Sequence, residues 1–138
     1  MEKMTIVVHS GDLDKFMSAL IIGNGFLSMG GSVTMYFTFW GLQRLVRGRL
    51  SNAPLSRMHL FGLGAWMMRR KMKKAHTASP ERLLEDFKVL GGRVIACAMT
   101  MDVMGIQKKD LDERWIDAYG AVGTYVRETQ GPVKTLFI

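Results

Sequence analysis

At 138 residues and 48% hydrophobic content, the chain is long enough for one independent core and too apolar to be disordered. A single cysteine excludes an internal disulfide and a multi-cysteine zinc site. The net charge is +7, and residues 15–80 hold ten Lys or Arg with no Asp or Glu; such a segment serves an acidic partner, an anionic ligand or an anionic membrane surface, or is a solvated face that aids solubility.

The opening MEKMTIVVHS lacks a signal-peptide pattern, and with the free thiol it points to a reducing, cytoplasmic setting. Residues 4–8, MTIVV, read as a short buried strand. HSGDLDK follows, in which Ser10 or Asp12 can cap a helix over 13–29. Residues 16–43 carry no charge, a length that suits a membrane span. GNG and GG interrupt the run, however. Phe16, Ala19, Leu20 and Leu27 share one helical face, and SVTMYFTF is rich in β-formers. A buried helix followed by a central strand over 33–39 is therefore expected. WGLQRLVRGR then reads as a short amphipathic turn or helix with Trp40, Leu42, Leu45 and Val46 on its apolar side.

Residues 51–78 form a basic, glycine-interrupted segment, expected to be mobile or ordered by a partner, with a cationic amphipathic helix over 65–74. SPERLLEDFKVLGG is a clear helix, with Ser79 as N-cap, Pro80 at its first position and glycines beyond its end. Residues 93–97 form the third strand, and 99–104 a short helix ended by Gly105. A very short fourth strand is expected near 115–117. A helix over 118–130 with Val122, Tyr125 and Val126 inward comes next, then an edge strand in KTLFI.

Strands and helices alternate and the strands are continuously apolar, so the chain reads as a single α/β domain with a mostly parallel sheet covered on both faces. In such sheets, sites gather at the carboxyl ends of strands. Cys97 stands at one of these ends. Free cysteine is often a small buried hydrophobe, but a thiol at a strand end, before a helix start that favours its anion, is a nucleophile candidate. Asp102 works against that anion unless it faces away. His9, Trp40, Met99 and Met101 are the expected site-lining residues. His9, at the end of the first strand, either approaches the sulfur or bonds loop backbone. The methionines, Met104 included, form a soft wall beside the sulfur or ordinary packing.

Other chemistries find little support. HSGD and the glycines of GLG match neither a Walker A loop nor a dinucleotide fingerprint, and there is no hydrolase nucleophile elbow. His59 and His76 lack metal-ligand spacing. Trp40, Phe61 and Trp66 interleave with Arg44, Arg47, Arg69 and Arg70, but no nucleic-acid motif accompanies them, and aromatics at a subunit interface explain them better. No cofactor and no metal are expected.

VVHSGDLDK, VTMYFTFWGL, FGLGAWMMRRKMKK, IACAMTMDVMGI, GAVGTYVRET and the terminal TLFI occur with the order and spacing of one family. In them the chain resembles the DsrE/DsrF-like (DsrEFH/TusBCD-related) sulfur-relay proteins, in the branch often labelled peroxiredoxin-like; no peroxiredoxin active-site signature is present. The resemblance covers nearly the whole chain, and the cysteine followed by MDVMGI is its most specific part. It implies a flavodoxin-like, three-layer fold on a five-stranded sheet, assembly into homo-trimers or hexamers, and sulfur donor and acceptor proteins as partners. It also implies sulfane sulfur carried as a persulfide on Cys97. The residues themselves leave two alternatives open. One is a non-enzymatic adaptor docking through residues 57–76 on a membrane or acidic protein. The other is a thiol redox sensor, whose resolving thiol would have to come from another molecule.

Overall fold

Short apolar runs separated by amphipathic ones leave each strand nowhere to pair except beside the next, and the resulting structure is a parallel sheet. The computed structural model describes residues 1–57 and 59–138. Its strands are β1 (Lys3–Val8), β2 (Ser32–Phe37), β3 (Arg93–Cys97), β4 (Ala118–Gly120) and β5 (Val133–Phe137). Its helices are α1 (Leu13–Ser28), α2 (Phe39–Gln43), α3 (Leu63–Lys74), α4 (Pro80–Val89), α5 (Ala98–Met104) and α6 (Val122–Glu128). All neighbours pair in parallel in the order β4-β3-β2-β1-β5.

This order determines which face each helix covers. From β1 to β4 the chain steps in one direction, and right-handed crossovers keep the connecting helices on one side. There Phe16 and Leu20 of α1 and Leu84 and Phe87 of α4 meet Ile6, Val8, Met35, Phe37, Val94 and Ala96 in the main core. The return from β4 to β5 puts α6 on the other face, where Tyr125 packs against Val7, Tyr36, Ile95 and Cys97. The three layers are therefore unequal. No residue of the seven-residue α6 is buried, whereas α1 buries seven of its sixteen.

The uncharged 16–43 run is α1 followed by β2, as its glycines and β-formers indicate. Among the described residues no helix is long and apolar enough to cross a membrane. Ser79 caps α4 by accepting a hydrogen bond from Arg82 N at 3.2 Å, with Pro80 in the first turn. Asp12 takes the N-cap position of α1 without a side-chain cap bond; Ser10 Oγ instead accepts from Asp12 N at 3.2 Å. In the 51–78 segment a 3₁₀ turn, Leu60–Gly62, leads into α3, and Met58 lies outside the described residues.

The expected 118–130 helix differs. Ala118–Gly120 is β4, three residues later than the 115–117 strand expected, and the helix shrinks to α6. Strand pairing overrides local helix preference there, because Ile95, Ala96 and Cys97 on β3 would otherwise lack edge partners. Val122 and Val126 are exposed rather than inward; only Tyr125 faces the sheet.

The segment after β2 folds tightly under the end of β1. A Cβ on Gly41 would lie 2.2 Å from the Val8 carbonyl oxygen, a backbone atom that cannot step aside. Gly41→Ala should therefore destabilise the protein by about 3 kcal/mol, the upper range for overpacking, read as a lowered midpoint in urea denaturation. An alanine at Gly25, inside α1 with nothing within 4 Å, is the control and should raise the midpoint slightly, by up to about 1 kcal/mol of helix preference.

Candidate functional site

Cys97 is the last residue of β3 and the N-cap of α5. It pairs with Gly120 of β4, and Thr38 and His9 continue its row one step past the ends of β2 and β1. Alternation then directs its side chain to the face covered by α6, beside Tyr36, Ile95 and Tyr125. The thiol is 3% exposed. The strand-end position matches the sequence reading, but the sulfur sits beneath side chains rather than at an open rim.

Three hydroxyls lie near enough to act on its charge, those of Thr100, Tyr36 and Thr38. Thr100, wholly buried in the first turn of α5, accepts a hydrogen bond from Phe39 N at 3.0 Å and shares one with Thr38 Oγ1 at 2.9 Å. Whichever threonine donates in that pair, the other keeps a hydroxyl hydrogen. The Tyr36 hydroxyl donates to Gly120 O at 3.4 Å, a long bond that leaves its hydrogen easily turned toward the sulfur. Burial alone pushes the Cys97 thiol up. The hydroxyls of Thr100 and Tyr36, the Thr100 backbone N–H and the Thr38 hydroxyl outweigh burial and hold it below the ordinary thiol value. In turn burial, then the neighbouring sulfur, pushes the Tyr36 phenol well above its usual value. Donors close to a buried sulfur favour its thiolate over that of a thiol buried among apolar groups alone.

Backbone strain accompanies this ring. Phe39 adopts the left-handed region at φ 45°, rarely tolerated by a non-glycine residue, while its N–H is held by Thr100. Such strain persists only where its surroundings impose it. Here it aims the start of α2 across the end of β3.

The other anticipated residues scatter. His9 lies two strands from Cys97, about 10 Å at the usual strand spacing, with Thr38 between them. Its ring sits between Phe39 and Phe137, with centroids at 5.3 and 5.4 Å, and its carbonyl accepts from Gly41 N at 2.9 Å. Met101 belongs to the main core on the opposite face, Met99 and Trp40 are more than half exposed, and Asp102 is exposed as well. Among the described residues no cluster of His, Cys, Asp and Glu could hold a metal ion.

Sequence reasoning missed Tyr36, Thr38 and Thr100. Thr100 had a legible signal. Cys-x-x-Thr is the N-cap-to-N3 spacing, which returns the third residue of a helix to its cap. Tyr36 and Thr38 were readable only through strand register.

The DsrE/DsrF/DrsH-like family model matches residues 1–52 and 44–137, nearly the entire length. The chain belongs to that family. The chain is 33% identical to the Bacillus subtilis protein YrkE, over 99% of this chain and 97% of that one. It is 28% identical to the sulfur carrier protein DsrE2 of Allochromatium vinosum, over 79% of this chain and 82% of the relative. Two solved structures share the fold over the full length of both chains. These are the Methanobacterium thermoautotrophicum protein MTH1491 (TM-score 0.69, 13% identity) and the Escherichia coli protein ychN (TM-score 0.60, 14% identity). The DsrE-like, three-layer α/β architecture expected from the sequence is thus the architecture found.

Proposed function

We propose that the protein is a sulfane-sulfur carrier that holds a persulfide on Cys97, receiving the sulfur from one protein and passing it to another. The observation that carries this reading is the ring of Thr100, Tyr36 and Thr38 around the one cysteine of the chain, which favours its thiolate in spite of burial. A relative that is a sulfur carrier supports it. The proposed setting is the cytoplasm, and the proposed working form a homo-trimer or hexamer.

The chemistry is thiol exchange with no net oxidation. The Cys97 thiolate attacks the outer sulfur of a donor persulfide, R–S–SH. A bond forms between the two sulfurs, the donor's S–S bond breaks, and the donor leaves as a thiolate, R–S⁻. Cys97 now carries –S–SH. An acceptor thiolate repeats the attack on that outer sulfur, and Cys97 departs as the thiolate it began as. Hydroxyl donors matter at both ends of this cycle, since they stabilise Cys97 as nucleophile and as leaving group.

Access requires motion, and the lightest element over the sulfur is α6. Glu128 ties its carboxyl end, through a salt bridge to Arg93 and hydrogen bonds from Thr34 Oγ1 to its carboxylate and from Thr5 Oγ1 to its carbonyl. At its middle Tyr125 rests on Tyr36, with centroids at 5.5 Å. Elements that bury little open at low free energy. Tyr125→Ala should therefore accelerate alkylation of Cys97 in the folded protein on the order of tenfold, the effect of weakening a closed state by about 1.4 kcal/mol.

Intact-mass spectrometry tests the function. Reduced protein incubated with glutathione persulfide should gain one sulfur atom on Cys97, and a thiol acceptor should then remove it. A chain that stays at its unmodified mass, under conditions that load a known carrier, would overturn the proposal.

A further inference from the structure

We propose that residues 60–74, the Leu60–Gly62 turn and α3, dock the protein on an anionic lipid surface. The apolar tip would enter the headgroup region while the basic end lies on the charged surface. The inference is independent of the sulfur reading.

Only one side of α3 is used by the fold. Ala65 and Met72 pack with Leu13, Met17, Ala53 and Leu55, and Arg69 donates to the Ala53 carbonyl at 2.6 Å. The remaining side is divided along the axis rather than around it. Toward the amino end Leu60, Phe61, Leu63, Trp66 and Met67 are exposed; toward the carboxyl end come Arg70, Lys71, Lys73 and Lys74. Trp66 stands at the junction, with the Arg70 guanidinium 5.5 Å from its ring centroid. An apolar tip, an amphipathic aromatic at the boundary and cations behind it match the layering of a membrane interface.

Charge and strain point the same way. No carboxylate occurs between residues 15 and 80, and Asp14, which borders the surface, is engaged by the backbone N–H and hydroxyl of Ser56. The first turn of α3 carries no acid and no side-chain cap, and the carbonyls of Leu60 and His59 take the amides of Leu63 and Gly64, so no carboxylate offsets the cations along the helix. Leu60 and Phe61 are consecutive non-glycine residues in the left-handed region, at φ 47° and 55°, yet both are exposed. Strain of this kind accumulates at ligand clamps and switch regions, and here the chain gains no internal packing from it. A second, acidic protein would account for the cations but not for a strained apolar tip held into solvent.

Flotation of the full chain with vesicles tests the proposal. At low salt, vesicles of phosphatidylcholine with about one third phosphatidylglycerol should capture at least tenfold more protein than pure phosphatidylcholine. Phe61→Asp should lower capture tenfold or more, Lys73→Glu/Lys74→Glu should do likewise, and Cys97→Ser should leave it unchanged. Phe61→Gly should also lose capture while melting no lower than wild type, because it relieves the backbone. Failure of anionic vesicles to capture the protein would overturn the inference. So would capture that Phe61→Asp leaves intact, since purely electrostatic adhesion of that kind fits an acidic protein partner equally well.

Discussion

Thr100→Val is expected to raise the pH at which Cys97 ionises and to destabilise the fold by about 2–3 kcal/mol. Valine keeps the shape of threonine but removes the oxygen that accepts from Phe39 N and shares a proton with Thr38. Each polar group left without a partner in a buried setting loses about 1–3 kcal/mol. Phe39 is also held in the left-handed region next to that bond, so its N–H cannot easily turn to another acceptor. Thr100→Ser restores the hydroxyl and should recover most of both effects. Denaturant melts read the stability, and pH-resolved alkylation reads the ionisation. An unchanged ionisation midpoint in Thr100→Val would mean that the hydroxyl ring does not govern the sulfur.

The same ring predicts a pH dependence of stability. The folded thiol ionises more readily than the unfolded one, so the folded state gives up its proton first as pH rises. The stabilising contribution is therefore fully present above the ordinary thiol value of about 9 and is lost as pH falls through the lower folded value. Thr100→Val should flatten this slope, and Cys97→Ser should remove it.

Cys97→Ser is expected to abolish sulfur loading completely, the largest functional effect available in the chain, because no second cysteine exists to take over. A serine hydroxyl is far too weak an acid to supply an anionic nucleophile, and oxygen does not replace sulfur in thiol–persulfide exchange. The fold should tolerate the change within about 1 kcal/mol, since Thr38, Thr100 and Tyr36 offer a hydroxyl the same hydrogen-bonding company they offer the thiol. Circular dichroism and denaturant midpoints check the fold, and mass spectrometry after persulfide treatment checks the loading. Residual loading in this variant would place the sulfur on a different group.

Most of the scaffold was legible in the sequence, and the exceptions share a cause. Residues 4–8, 33–39 and 93–97 read as strands because continuous apolar runs of that length have only a buried sheet to enter, although the second ends at Phe37, where the chain turns into α2. Ala118–Gly120 was read as helix because one tyrosine between an alanine and a glycine is too short a run to signal a strand. Its assignment comes from β3, a long-range partner invisible to a local window. The position of Cys97 at a strand end was likewise local information. Its burial, and the gathering of Tyr36, Thr38 and Thr100 from two strand ends and a helix start, depend on register and on α6 folding back. His9 illustrates the converse. Two strand ends on the same edge suggested proximity to the sulfur, but β2 inserts between β1 and β3, and Thr38 takes the place His9 was expected to fill.

The central claim is that the folded chain presents Cys97 as a readily ionised thiol reached by small local opening. Timed alkylation of the reduced, folded protein across the pH range below about 9 measures both properties at once. The account predicts labelling much faster than global unfolding, with a midpoint below that of free cysteine and a rate that rises in Tyr125→Ala. Labelling that appears only on denaturation, at the pH of an ordinary thiol, would contradict it.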